Sequence, residues 1–154
     1  MKNAPEKPRW IVIGFQTGKS ADQTQNPAIF DHVNLKNMYV LLNSTRYPEV
    51  DYNLSFANQP FSRAYGDASL FGIRYFGIFE LTTRSNISPA DYKTLYPLFI
   101  FDVSKQSEKL KSSAVDVQIR AIFNQAAGTQ AYAVVMSDKL LTFQSDGSKM
   151  SVVY

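Results

Sequence analysis

Apolar and polar residues alternate along this chain in short runs, broken roughly every ten to fifteen residues by turn-forming chemistry. Trp10-Ile11-Val12-Ile13-Gly14-Phe15 is apolar on both faces, the pattern of a strand buried between two layers. Asn37 to Leu42 reads the same way. Tyr52, Leu54 and Phe56 alternate with Asn53 and Ser55, which predicts a short half-buried strand. Leu98-Phe99-Ile100-Phe101 follows Pro97, a residue that suits the start of a strand and not its middle. The cleanest period of two runs from Val115 to Phe123. It predicts Val115, Val117, Ile119, Ala121 and Phe123 on a core face, with Asp116, Gln118 and Arg120 on a wet one. Tyr132 to Met136 follows, with Ser137-Asp138-Lys139 as a tight connection. Leu140–Phe143 and Lys149–Tyr154 flank Asp146-Gly147, a strong hairpin signal because Gly tolerates positive φ. The C-terminal segment is therefore expected to be an antiparallel meander.

Two segments read as helices. Asn58-Gln59-Pro60 could cap and open one, with Pro60 at the first helical position and Phe61, Tyr65, Ala68 and Phe71 along one stripe. Gly66, Gly72 and Gly77 weaken it, so its end is expected to unravel into Tyr75-Phe76-Gly77-Ile78-Phe79. Ser88-Pro89-Ala90-Asp91 resembles a capping box with Pro at its preferred place, opening one or two turns to Tyr96. Polar stretches such as residues 16–27 read as rim loops. Strands with one-face and two-face apolar patterns, joined by short helices, predict a mainly β fold: an antiparallel two-sheet jelly-roll sandwich. A parallel doubly wound sheet would need long helices between its strands. The expected organisation is a flexible N-terminal arm over 1–8 and a single jelly-roll domain over 9–154.

Composition narrows the chemistry. With 154 residues, 45% hydrophobic and 19% charged, the chain can bury one core. Zero Cys excludes disulfides, thiol nucleophiles and Cys-based zinc sites. A single His, His32, leaves little for multi-His metal sites or His-based triads. No apolar run approaches the ~18 residues a membrane span needs, and Met1 to Pro8 has no signal-peptide core. Assembly in a virion-like or intracellular setting is the expectation that follows. Sixteen basic residues against thirteen acidic ones give +3, with eight basic residues in each half of the chain. A nucleic-acid binder gathers them into a patch. The densest group, Lys105, Lys109 and Lys111, has Asp102 and Glu108 within it and reads as a solvated loop.

The candidate sites are weak. Gly14-Phe15-Gln16-Thr17-Gly18-Lys19-Ser20 resembles a phosphate loop but has three residues between the glycines where four are needed, and no amphipathic helix follows. It reads as a polar loop, with Lys19 exposed. His32 reads as a hydrogen-bonding structural residue. Sequons at Asn43, Asn53 and Asn86 carry meaning only in a secreted chain. The thirteen carboxylates are scattered, with no acid/base pair. Neither catalytic nor metal-ligating residues are predicted, nor any cofactor. Aromatics concentrate from Phe61 to Phe101, and Tyr75, Phe76 and Phe79 are the candidate interface residues, since interface cores enrich such side chains.

Several ordered blocks carry a resemblance. They are Lys7-Pro8-Arg9-Trp10-Ile11-Val12-Ile13-Gly14-Phe15-Gln16-Thr17, Asp22 to Leu35, Val40-Leu41-Leu42-Asn43-Ser44 with Tyr47-Pro48 and Asp51-Tyr52-Asn53-Leu54, Pro97 to Gln106, and Leu110 to Val117. Together they resemble a double-jelly-roll-like domain family, similar to the major capsid proteins of double-jelly-roll DNA viruses and to invertebrate proteins. The chain looks like the later of the two jelly rolls. The resemblance implies a non-enzymatic structural protein that self-assembles into a shell, sheet or filament, with another copy or a first jelly-roll half as partner; the dispersed charge predicts no direct specific nucleic-acid ligand. The alternative is a carbohydrate- or protein-binding β-sandwich module.

Overall fold

The computed structural model describes residues 7–19, 22–58, 60–77, 87–106, 115–124, 128–138, 142–145, 147 and 149–153. In chain order the elements are β1 (Lys7–Gln16), β2 (Leu35–Leu42), β3 (Thr45–Tyr47), α1 (Ser62–Phe76), α2 (Pro89–Thr94), β4 (Phe99–Asp102), β5 (Val117–Phe123), β6 (Gln130–Asp138), β7 (Thr142–Ser145) and β8 (Met150–Val153). The strands form two antiparallel three-stranded sheets, ordered β4-β1-β6 and β3-β2-β5, and a β7-β8 hairpin.

β1 is central in its sheet and covered on both faces, which explains its apolar character on each. Ile11, Ile13 and Phe15 point into the core, opposite Phe101 and Phe99 on β4. On the other face, Gly14 leaves room for Phe30 and Leu98. A Cβ there would lie 2.5 Å from the Phe30 ring. β2 sends Met38, Val40 and Leu42 inward from the second sheet. Phe15 joins the layers by touching Phe123 on β5 edge-on at 5.5 Å. Fully burying one such side chain contributes about 1.5–3 kcal/mol.

Tyr52, Leu54 and Phe56 are buried as their spacing predicts, but they form no strand ladder. Asn53 sits at φ +49°, which breaks the pleat. The Leu54 N–H donates to the Lys36 carbonyl (2.7 Å), and the Tyr52 N–H donates to the buried Asn37 Oδ1 (3.1 Å). A side-chain amide thus replaces one rung of a sheet, beside the register shift of β2 between Leu35 and Asn37.

The strand β3 adds to the sequence reading. Asn43 and Ser44 both have positive φ and close a two-residue hairpin with Leu42 opposite Thr45. The sequon residue Asn43 has a structural role: its Oδ1 accepts the Asp116 N–H at 2.7 Å. β1 begins at Lys7, so residues 7 and 8 belong to the sheet, and residues 1–6 lie outside the described residues.

Helix α1 differs from its expected outline. It starts after Phe61, two residues beyond Pro60, and no side chain caps it. The Phe61 ring is stacked on Phe56 (5.4 Å) and Tyr92 (6.1 Å), and this aromatic packing sets where the helix begins. It runs unbroken through Gly66 and Gly72 to Phe76, where Gly77 at φ +67° ends it and donates to the Ile73 carbonyl. Helix α2 matches its signal. Ser88 caps it, accepting the Asp91 N–H at 3.1 Å and donating to the Asp91 carboxylate at 2.8 Å.

At the C-terminal end the hairpin forms, with Ser145 opposite Met150 and Gly147 at φ +92°. Among the described residues β6 does not pair with this hairpin as the expected meander would have it, and lies along β1 instead. Ser137 and Asp138 extend β6 instead of turning, held opposite Pro8 and Lys7 and by an Arg9–Asp138 ion pair of 2.6 Å. In β5 and the two residues before it, Val115, Val117, Ala121 and Phe123 pack on the core, and Asp116, Gln118 and Arg120 are exposed. Ile119 shares the core-facing parity but is 39% exposed. The period of two was right, and burial along it is incomplete.

Candidate assembly surface

One side of the sandwich is closed. Helix α1 lies against β4, and Arg63, Asp67 and Arg74 face Tyr47 of β3 and residues 100–102 of β4 around a small cavity of about 130 Å³. The edge strands of both sheets therefore meet beneath one helix. The Tyr52 hydroxyl donates to Asp67 at 2.9 Å, and the Arg63 guanidinium sits 5.1 Å above the Tyr52 ring. Burial, reinforced by the Asp67 charge, pushes the Tyr52 and Tyr92 phenols far above their ordinary range. Both stay neutral hydrogen-bonding groups.

From this closed side a run of rings leads outward. Trp10 meets Phe71 at 5.2 Å, Phe71 meets Tyr75 at 5.4 Å, and Tyr75 meets Phe76 at 4.9 Å. The run ends in solvent, with Tyr75 49% and Phe76 67% exposed. Of the three expected interface residues, these two are adjacent on the surface, and Phe79 lies outside the described residues. Tyr75 borders an open groove of about 460 Å³ that runs past Arg9 and Trp10 to Met136 and Asp138 of β6. The groove joins the end of α1 to the far edge of the first sheet.

On the side away from α1, several apolar side chains of the described residues are exposed. On β6, Tyr132 and Val134 point to one face of the sheet and Val135 to the other, and all three are roughly half exposed, Val134 most at 56%. On β5, Ile119 and Ile122 are exposed on opposite faces. Scattered exposed apolar residues are ordinary, but here the edge strand β6 is apolar and exposed on both faces, and β5 adds Ile119 and Ile122 beside residues that pack on the core. The sequence reading missed this surface. Its one visible signal was the run from Ala131 to Met136, apolar at every position and free of charge.

The groups singled out for chemistry are engaged in holding the fold. Lys19 is not an exposed loop residue: its side chain keeps only 9% of its surface. It donates to the Ile29 carbonyl at 2.7 Å and pairs with Asp31 at 3.1 Å, and Asp31 also accepts the Thr17 N–H at 2.8 Å. The ammonium that a phosphate loop would aim at its ligand is spent on closing residues 17–31. His32 stacks on Phe56, and its Nδ1 accepts the Asn34 N–H at 3.0 Å. Burial first, then the Lys93 charge, lower its pKa against the opposing pull of Asp31. Lys105 is exposed, and Lys109 and Lys111 lie outside the described residues. Among the described residues no three His, Asp or Glu side chains gather as a metal site, and no helix is long and apolar enough to cross a membrane.

Two antiparallel sheets packed face to face, with short helices in the connections, define a sandwich of the jelly-roll class. The profile of the double jelly roll-like domain matches residues 1–141, and the chain belongs to that family. Searches of curated proteins and of solved structures found no match.

Proposed function

We propose that this protein is a non-enzymatic structural protein of viral-capsid type that works by associating with copies of itself, or with a companion jelly roll, into a shell, sheet or filament. The observation that carries this reading is the side of the sandwich away from α1, where β6 presents exposed apolar side chains on both faces and β5 adds Ile119 and Ile122. Membership of the double jelly roll-like family agrees with it. A net charge of +3 offers little long-range repulsion between copies at neutral pH. The engagement of Lys19 and His32 in structural hydrogen bonds supports a protein without catalytic residues or a cofactor. The even spread of basic residues argues against a nucleic-acid interface.

Mass-resolved light scattering over a concentration series tests this directly. Species heavier than the 17.4 kDa chain are expected, in a concentration-dependent equilibrium. A chain that stays at monomer mass at high concentration removes the assembly reading. It would favour the second one, a carbohydrate- or protein-binding sandwich, for which the groove beside Tyr75 is the observation.

A further inference from the structure

Strand β6 carries a pattern that fits a copy of itself. Its edge away from β1 pairs with no strand among the described residues. From Ala131 to Ser137 it has no charge and no Pro, the residues that usually guard a sheet edge. Tyr132 and Val134 are exposed on one face and Val135 on the other. A partner laid flat on the sheet would cover one of these faces only. A strand added at the edge flanks both at once, because its own side chains alternate in the same way.

We propose that β6 pairs edge to edge and antiparallel with β6 of a second copy, about a two-fold axis at Val134. This rests on the self-association reading and gives it a partner and a register. In that register Val134 faces its own counterpart, Ala133 faces Val135, Tyr132 faces Met136 and Ala131 faces Ser137. Apolar side chains oppose one another through the middle. The two copies of Asp138 stand at opposite ends of the ribbon, roughly 27 Å apart along it. The two sheets become one of six strands, ordered β4-β1-β6-β6-β1-β4.

The strand β5 does not fit a copy of itself. The middle residue of β5 is the exposed Arg120, and the same pairing would set two guanidiniums face to face. Like charges directly opposite one another destabilise a strand pair.

Because the chain has no Cys, single cysteines report the register cleanly. Directly opposed residues of an antiparallel pair have Cα atoms about 4.5–5.5 Å apart, within disulfide reach. Under mild oxidation Val134→Cys should give a disulfide-linked dimer. Tyr132→Cys would stand roughly 13 Å from its counterpart and should stay unlinked, as should Ile122→Cys on β5. Val134→Lys should remain at the monomer mass of 17.4 kDa at concentrations where the natural chain associates. Its circular dichroism spectrum and cooperative melt should be retained, since the side chain is exposed. Equal linking by all three cysteines, or association of Val134→Lys like the natural chain, would overturn the edge pairing while leaving self-association standing. A natural chain that is monomeric throughout would overturn both.

Discussion

The imidazole of His32 lies parallel to the ring of Phe56, with centroids 4.5 Å apart and planes within 4°. Its Nδ1 accepts the Asn34 N–H and so holds Val33 and Asn34 at their positive φ values, just before β2 begins. Protonation removes that acceptor and places a charge in a half-buried site beside Lys93. The folded pKa lies below the ordinary value of 6.5, so the folded state binds fewer protons near that pH. The His32 contribution to stability should be complete above about pH 7 and should fall as pH drops through 6.5. Urea melts between pH 5 and 7.5 should show this slope in the natural chain and a flatter one in His32→Gln. Parallel slopes would mean that His32 is not the group responsible.

Lys19 is tied to the Ile29 carbonyl and to Asp31 in a part-buried clip. Lys19→Ala leaves both acceptors short of a donor and should cost about 1–3 kcal/mol. Lys105→Ala, at an exposed bend, should fall within about 0.5 kcal/mol of the natural chain. Equal midpoints for the two variants in denaturant melts would contradict the clip.

Gly14 is required by close approach. An added Cβ would meet Phe30 at 2.5 and 2.7 Å and Leu98 at 2.9 Å. Gly14→Ala should destabilise by about 1–3 kcal/mol through overpacking. Combining it with Phe30→Leu should recover part of that loss, whereas additive losses in a double-mutant cycle would place the strain elsewhere.

Ile119 and Met38 separate period from burial. Met38 is fully buried, and Met38→Ala should cost about 2–5 kcal/mol. Ile119→Ala should cost less than half as much, because the side chain is already partly in water on the side of the sandwich away from α1. Similar losses in thermal melts would show Ile119 covered within the monomer.

These residues also show how far the sequence alone could reach. The strands β1 and β2, the Gly147 hairpin and the Ser88 cap were legible because local chemistry decides them: two-sided apolar runs, a residue tolerant of positive φ, a hydroxyl facing a free N–H. The Asn43-Ser44 turn was not, since neither residue is Gly and its geometry is fixed partly by Asp116, far along the chain. The start of α1 depends on Phe61 finding Phe56 and Tyr92, and the ladder expected at Tyr52–Phe56 is displaced by the Asn37 amide. Tyr75 and Phe76 were legible as surplus aromatics. The exposed apolar residues of β5 and β6 were not, because an apolar side chain in a sequence does not say what covers it.

The central claim is that copies associate through the β6 side of the sandwich, and hydrogen exchange at two protein concentrations tests it most directly. The β6 amides that point away from β1, between residues 131 and 137, should exchange quickly in dilute solution and gain protection as concentration rises. Those of β4, beneath α1, should not change. Protection of β6 that is the same at both concentrations would contradict the account.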